Sequence, residues 1–419
     1  MVTWRWMVRQ RRLVLSLGLS VLFVSLFSSA FVYKFGAALG CDFLKGNLCK
    51  NVSPLSSIAA PLPLPQDLHK DLSAQEQFPP PLRHQLPSDL ELPRNYSDDE
   101  LTARVLAQDS LSRSTLNIEQ PKLAFMFLTP GPLPFEGLWD RFFEGHEDRY
   151  SVYVHASKKE SLGSIWKGNV FKGREIRSEK VFWGQIAMVD AERRLLANAL
   201  QDKRNQYFVL LSETCVPLHD FNYIYNYLLG ARMSFVDCFD DPGPHGLGRY
   251  SDRMMPEVSR RAWRKGAQWF AITRQHALLL VADNFYYRKF SSFCKPGPEN
   301  HNCYPDEHYV QTFLHIMDPS HLANWTVTHV DWSEGKWHPK SYATEDVTET
   351  TLAAIQAINY HVHVNSDGEA KKATVPCLWN GEHRPCFLFA RKFLPETADI
   401  LSKLLPQLIW QRSQGTETL

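Results

Sequence analysis

Four short runs in the middle of the chain carry apolar residues on both alternating faces: LAFMFLT (Leu123 to Thr129), YSVYVHA (Tyr150 to Ala156), QYFVLLS (Gln206 to Ser212) and MSFVDCF (Met233 to Phe239). A strand with one wet face alternates apolar with polar, so these runs predict strands buried on both sides, as in a mostly parallel sheet. Gln185 to Leu200 and Phe221 to Leu229 lie between them and repeat at helical spacing. Strand–helix alternation predicts an α/β domain with right-handed crossovers. Ser97 to Leu111 and Glu396 to Leu405 have helical spacing as well. In an open sheet of this kind ligands gather beyond the carboxyl ends of the strands, where His155-Ala156-Ser157, Ser212-Glu213-Thr214-Cys215 and Asp240-Asp241 would lie.

The N-terminal pattern is different. Leu13 to Val32 is an uncharged run of about 20 residues, the length an α-helix needs to cross a bilayer core. Arg5, Arg9, Arg11 and Arg12 precede it and only Lys34 follows closely, so the positive-inside rule predicts a type II, single-pass orientation. A cleaved signal peptide is the rival reading, with Ser28-Ser29-Ala30 as small residues near the end, but the run exceeds a usual signal core. Ser53 to Pro93 is proline-rich and reads as an extended stem. The expected organisation is a cytosolic tail at 1–12, a transmembrane anchor at 13–33, a lumenal stem at 34–120 and a catalytic domain at 121–419.

Composition narrows the function classes. Aromatic residues make up 12% of the 419 residues, ample for a large core. A net charge of +1 and the lack of a basic, aromatic-interleaved patch argue against nucleic acid. No Walker loop or GxGxxG fingerprint occurs, which disfavours P-loop and dinucleotide enzymes. Eight cysteines follow the anchor, and in a lumenal chain an even number reads first as disulfides. Cys294 with Cys303 and Cys377 with Cys386 have spacings that suit local bridges. Sequons at Asn95 and Asn324 are candidate glycosylation sites, while Pro54 spoils the one at Asn51.

Two adjacent carboxylates in CYPDEHYVQTFL, Cys303 to Leu314, raise the question of a base. Pro305 fits a helix start and Asp306 fits a cap for free amides. Glu307, held ionised at a helix N-terminus, suits a base waiting for a hydroxyl proton, with a surface first-turn acid as the plain alternative. Downstream, Arg391 and Lys392 end the alternating segment PCFLFARKF, where a cationic cluster could hold a diphosphate. The plain alternative is a solvated edge. Asp237, Asp240 and Asp241 lack the Asp-x-Asp spacing of a manganese site and read as a strand end and turn. His361 and His363, two apart, read as one strand face. Trp332 in THVDWSEGKWHP could stack on a pyranose or sit in the core.

Together the anchor, the stem, RSEKVFWGQIAMVDAERRLLANAL, YFVLLSETCVPL, KGAQWFAITRQHALLL, CYPDEHYVQTFL, VDWSEG and CFLFARKF resemble the plant branch of the core-2/I-branching β-1,6-N-acetylglucosaminyltransferases, glycosyltransferase family 14. The resemblance implies a GT-A-like, Rossmann-type fold and an inverting, metal-independent transfer, with no cofactor. It implies a UDP-sugar donor, N-acetylglucosamine being the family's sugar, and a glycan or glycoprotein acceptor, with arabinogalactan or another cell-wall glycan suiting a plant. It further implies a lumenal site in the Golgi.

Site roles carried by the resemblance are Glu307 as general base, Lys392 at the donor diphosphate with Arg391 beside it, and Trp332 at the acceptor. The family's upstream arginine is not cleanly matched; Lys371 and Lys372 lie near its place, shortly before Cys377, and the resemblance carries the donor-binding role to Lys372. Where animal members have His-Val-Asp near the donor this chain has His155-Ala156-Ser157, which leaves the donor sugar open at Ser157. A lumenal glycan-binding protein that kept the fold without catalysis is the rival function. A glycoside hydrolase would need a second carboxyl about 5–10 Å from Glu307.

Overall fold

The computed structural model describes residues 96–112, 120–158, 170–336, 338–366, 372–379 and 381–409. The expected tail, anchor and most of the stem, together with Asn95, Cys41, Cys49 and Lys371, lie outside the described residues, as does the side chain of Lys372. Among the described residues no helix is long and apolar enough to cross a membrane. All of them belong to one unit, Asp89–Leu419.

The chain order begins α1 (Asp98–Ser112), β1 (Lys122–Thr129), α2 (Glu136–Phe143), β2 (Tyr150–Ala156), α3 (Ile186–Leu200), β3 (Asn205–Ser212), β4 (Val216–Pro217) and α4 (Phe221–Ala231). It continues with β5 (Ala271–Thr273), α5 (Arg274–Ala282), α6 (Phe285–Phe293), α7 (Tyr309–Met317), β6 (Thr328–Val330) and α8 (Glu349–Gln356). Four strands, β7 (Tyr360–Val364), β8 (Lys372–Pro376), β9 (Leu378–Trp379) and β10 (Glu382–His383), then precede β11 (Phe389–Arg391) and α9 (Ala398–Ile409).

The main sheet runs β2-β1-β3-β5. β1 is parallel to β2 and to β3, and β5 closes the edge antiparallel to β3. Alternate residues of β1 feed two cores. Leu123, Phe125 and Phe127 pack with Trp139, Phe142 and Phe143 of α2, Phe221 and Leu228 of α4, and Leu401 and Leu405 of α9. Ala124, Met126 and Leu128 pack with Val189, Leu195 and Leu196 of α3, Ala277 and Leu280 of α5, and Leu101 and Val105 of α1. Burial on both faces is what the continuous apolar runs required, and the α/β expectation is met as a mixed sheet flanked by helices.

One expected strand is absent. Met233–Phe239 forms isolated bridges, Ser234 with Leu322, Phe235 with Ala271 and Phe239 with Lys265. The edge position next to β3 is taken by the shorter β5, whose Ala271 uses Phe235 only once. Beyond that bridge Asp237 turns inward, its carboxylate accepting from the Ala267 amide and pairing with His363. Side-chain acceptors replace the ladder there.

A second sheet, β4-β11-β6, has β11 parallel to β6 and antiparallel to β4. The bridges Cys294–Cys303 and Cys377–Cys386 are both formed, as their spacing suggested. Cys215 and Cys238 depart from the all-disulfide expectation and remain buried free thiols. His361 and His363 lie on the packed face of β7, stacked on Trp325 and Phe239 respectively, as a strand-face reading predicts.

Burial depresses several histidines: His155, His219, His329 and His361 to about 4 and His308 to about 3. Each stays neutral in the fold while the unfolded chain takes a proton below its ordinary value, so each loses stability as pH falls from 6.5 toward 4. Asp306, raised to about 7 by burial and by the neighbouring Glu307 charge, and Glu192, raised by burial, act in the opposite sense. Five histidines outweigh two carboxyls, so calorimetry of the full-length chain should give a lower Tm at pH 5 than at pH 7. An equal or higher Tm at pH 5 would contradict this balance.

Candidate active site

Pro305–Glu307 forms a single 3-10 turn ahead of α7, with His308 between them. The expected role of Asp306 as a helix cap is not what is found: no side chain caps either element, and Asp306 points inward. The tight turn sends consecutive side chains in different directions, so Asp306 faces the interior while Glu307 stays partly exposed. Asp306 Oδ1 has no hydrogen-bond partner among the described residues. Its neighbour in the interior is Glu192 of α3, fully enclosed and bonded on one oxygen by Gln268 at 2.8 Å. Burial favours the protonated form of both acids.

Glu307 is half-buried and paired on Oε2 by Arg249 at 2.5 Å. The guanidinium is fixed from behind by His308, whose Nδ1–H donates to the Arg264 carbonyl at 2.8 Å, leaving Nε2 to accept from Arg249 at 3.5 Å. Burial first, and the Arg249 charge second, keep this imidazole neutral, as the acceptor role requires. Arg249 also lies 4.6 Å over the Tyr304 ring. Its charge therefore holds one oxygen of Glu307 in place, while Oε1 has no protein partner among the described residues.

The segment Lys265–Trp269 joins this acid to the second sheet. The Gly266 amide donates to the Glu307 carbonyl at 3.0 Å. A Cβ on Gly266 would lie 1.6 Å from the Asp237 carbonyl oxygen, so no larger residue fits where the backbones pass. Two residues on, Gln268 holds Glu192, and the Trp269 ring carries the Arg391 guanidinium at 4.2 Å. Arg391 has a buried Nε–H with no acceptor among the described residues, and burial pushes its guanidinium below the ordinary value. Glu213, in the loop after β3, adds a partly offsetting charge.

Register places the remaining candidates at one edge. Val330 of β6 pairs with Arg391 of β11, so Trp332 and Lys392 both emerge from the carboxyl ends of parallel neighbours. Tyr342 ties the two loops, its amide donating to the Lys392 carbonyl at 2.8 Å and its hydroxyl to Asp331 at 3.3 Å. Trp332 is 55% exposed, which removes the core alternative for it. Thr129 pairs with Ala156 and Leu128 with Ser212, so Ser157 and Glu213 leave the main sheet at its carboxyl edge. The Phe393 amide donates to the Thr214 carbonyl at 3.2 Å, which brings that edge against β11. Among the described residues no group of three or more His, Cys, Asp or Glu side chains could hold a metal.

The family described as Core-2/I-Branching enzyme matches residues 123–356 of this chain. The chain belongs to the Core-2/I-Branching enzyme family. It is also 37% identical over 318 residues to Glycosyltransferase BC10 of Oryza sativa subsp. japonica, an overlap covering 69% of this chain and 77% of that protein. The expected kinship with plant members of glycosyltransferase family 14 is thereby met, and the chain is a glycosyltransferase with a sugar donor and an acceptor.

Within this family member, Glu307 and the Arg391–Lys392 corner are connected through Gly266, Gln268 and Trp269. Lys372 belongs to β8, where it pairs with Val364 of β7. Asn324 is exposed with a left-handed backbone (φ 63°). Sequence reasoning assigned no part to Arg249, His308, Glu192 or Trp269. Arg249 and Trp269 lie in GLGRY and KGAQWF, stretches without an informative period, and their value arises only from long-range contact.

Proposed function

We propose that this glycosyltransferase moves a sugar from a UDP donor to a glycan hydroxyl by single displacement with inversion, without a metal, on a GT-A-like fold. The observation that carries the reading is the pair of opposite charges on one connected framework: an accessible Glu307 oxygen, and a cationic corner at Arg391 and Lys392 with an unfilled buried donor. Glu307 removes the acceptor hydroxyl proton, and the oxygen attacks the anomeric carbon from the face opposite the nucleotide. The bond to the diphosphate breaks, and its electron pair goes to phosphate oxygens facing Arg391 and Lys392. Fixed cations are suited to this charge because they need no reorganisation as it develops. Ser157 is the proposed donor-side contact and Trp332 the acceptor-side one, with N-acetylglucosamine as the sugar by family kinship and Lys372 as a further donor contact.

The N-terminal apolar run supports a Golgi, type II placement with the catalytic part in the lumen, and Asn95 and Asn324 as glycosylation sites. Protease added to sealed Golgi vesicles should leave residues 121–419 intact; their digestion would contradict the orientation. For the chemistry, the full-length chain is offered a UDP-hexose, a UDP-N-acetylhexosamine, a UDP-uronic acid and a UDP-pentose with galactan and other cell-wall oligosaccharides. Transfer should persist in EDTA, and Glu307→Gln should lower it about 10²–10⁴-fold, the usual loss of one positioned base. Undiminished transfer by Glu307→Gln would remove the base assignment, and abolition by EDTA would remove metal independence.

A further inference from the structure

The carboxyl end of β2 is tied to residues 174–179, which lie alongside it. The Val154 amide donates to the Arg174 carbonyl and the Ile176 amide to the Val154 carbonyl, each at 2.9 Å. Further on, the Ala156 amide donates to Ser178 Oγ at 3.1 Å and the Glu179 amide to His155 Nε2 at 3.2 Å. Arg194 of α3 donates to the same ring nitrogen at 3.0 Å. Nε2 therefore accepts twice, which leaves the ring proton on Nδ1, and Nδ1 has no partner among the described residues. Burial first, and the Arg194 charge second, keep the ring neutral. His155 is thus held at the point where Ala156 and Ser157 leave the sheet.

Both threads lead to the start of α1. Asp98, its first residue, takes Arg194 bidentately: Oδ1 accepts from Nε at 2.8 Å and Oδ2 from Nη2 at 2.6 Å. The Arg194 side chain is only 7% exposed, so its charge needs this carboxylate. Arg177 pairs with Glu179 at 3.1 Å and donates to the Tyr96 carbonyl at 3.4 Å. Leu101 and Val105 pack the helix into the core with Val189 and Leu195 of α3, and near its far end Asp109 meets Arg274 at 3.4 Å. Although α1 precedes residue 121, where the sequence led us to expect the catalytic part to begin, its first residue reaches the carboxyl edge of β2 through a single arginine.

We propose that Asp98 is a positioning residue for the UDP-sugar: through Arg194 it sets His155, and with it the Ala156-Ser157 exit of β2. This inference rests on the transfer reaction proposed above, with Ser157 on the donor side. Arg194 has two partners in line, an anion and a neutral ring. Without the anion, a buried guanidinium is left against a neutral imidazole, where its charge is disfavoured. It then turns toward water and releases Nε2, so that the Glu179 amide alone holds the ring. The acceptor side is built from other bonds, Glu307 being held by Arg249 and the Gly266 amide. Loss of the Asp98 pair therefore acts on the donor and spares the acceptor.

The test uses full-length chain with the UDP-sugars and oligosaccharides named above, and adds calorimetric binding of UDP as a readout that does not need transfer. Asp98→Asn keeps the size and removes the charge. It should raise KM for the UDP-sugar and Kd for UDP about fivefold, as for one partly screened charged pair, with acceptor KM and kcat little changed. Asp98→Glu should recover part of the loss, and Arg194→Lys, which cannot span both partners, should lose at least as much as Asp98→Asn. Asp109→Asn loosens the other end of the same helix and should leave the UDP Kd at its wild-type value. Unchanged donor KM and UDP Kd in Asp98→Asn overturn the positioning role and leave the reaction standing. Equal weakening by Asp109→Asn, or a fall in kcat with both KM values unchanged, also overturns it, because either reports a loosened fold. Wild-type chain that binds UDP but transfers to no probe removes the transfer reaction, and the Kd comparison then decides the positioning role by itself. Wild-type chain that does not bind UDP overturns both.

Discussion

Seven consecutive side chains of β1, from Leu123 to Thr129, are buried, and water is excluded from both of their faces, so this strand has to lie between neighbours with helices on either side. That requirement sets the parallel order with β2 and β3 and brings three strand ends to one edge. Ser157 and Glu213 leave from that edge. Phe389 of β11 reaches the same core as Phe125, with ring centroids 6.3 Å apart, and the second sheet is thereby fixed against the first. The position of Arg391 and Lys392 follows from the packing of β11 rather than from any feature of their own loop.

Electrostatics divides the two neighbouring acids. Asp306 enters a dry interior beside Glu192, where burial favours the proton-bearing form and raises Asp306 to about 7. Glu307 meets Arg249, itself steadied by a neutral His308. A protonated His308 would place a second cation against Arg249, so burial of the imidazole and retention of the ion pair support one another. The glycine at position 266 lets the connecting segment pass against Asp237 and bond the Glu307 backbone. Both ends of the candidate site are thus held by backbone and packing as well as by charge.

Much of this was legible in the sequence because apolar runs report burial directly. The strands at 123–129, 150–156 and 206–212 and the helices at 185–200 and 221–229 appear within a residue or two of their expected limits, whereas α2 at Glu136–Phe143 was not foreseen. Met233–Phe239 misled because an apolar run cannot say whether its backbone will find a ladder, and Asp237 found side-chain partners instead. Asp306 misled because a cap and a buried acid share one local pattern; the difference lies in Glu192 and Gln268, far away in the chain. Glu307, Lys392 and Trp332 were singled out through an ordered series of motifs. Arg249 and Trp269 depend on contacts across 58 residues to Glu307 and across the fold to Arg391, which no local window contains.

The central claim is that one framework presents a base to the acceptor and a cationic corner to the donor. A crystal structure of the full-length chain bound to UDP and an acceptor oligosaccharide tests it most directly. The account predicts diphosphate oxygens within hydrogen-bond distance of Arg391 Nε or Lys392 Nζ, and an acceptor hydroxyl within that distance of Glu307 Oε1. A diphosphate bound elsewhere, with Arg391 Nε still unfilled and no hydroxyl near Glu307, would contradict it.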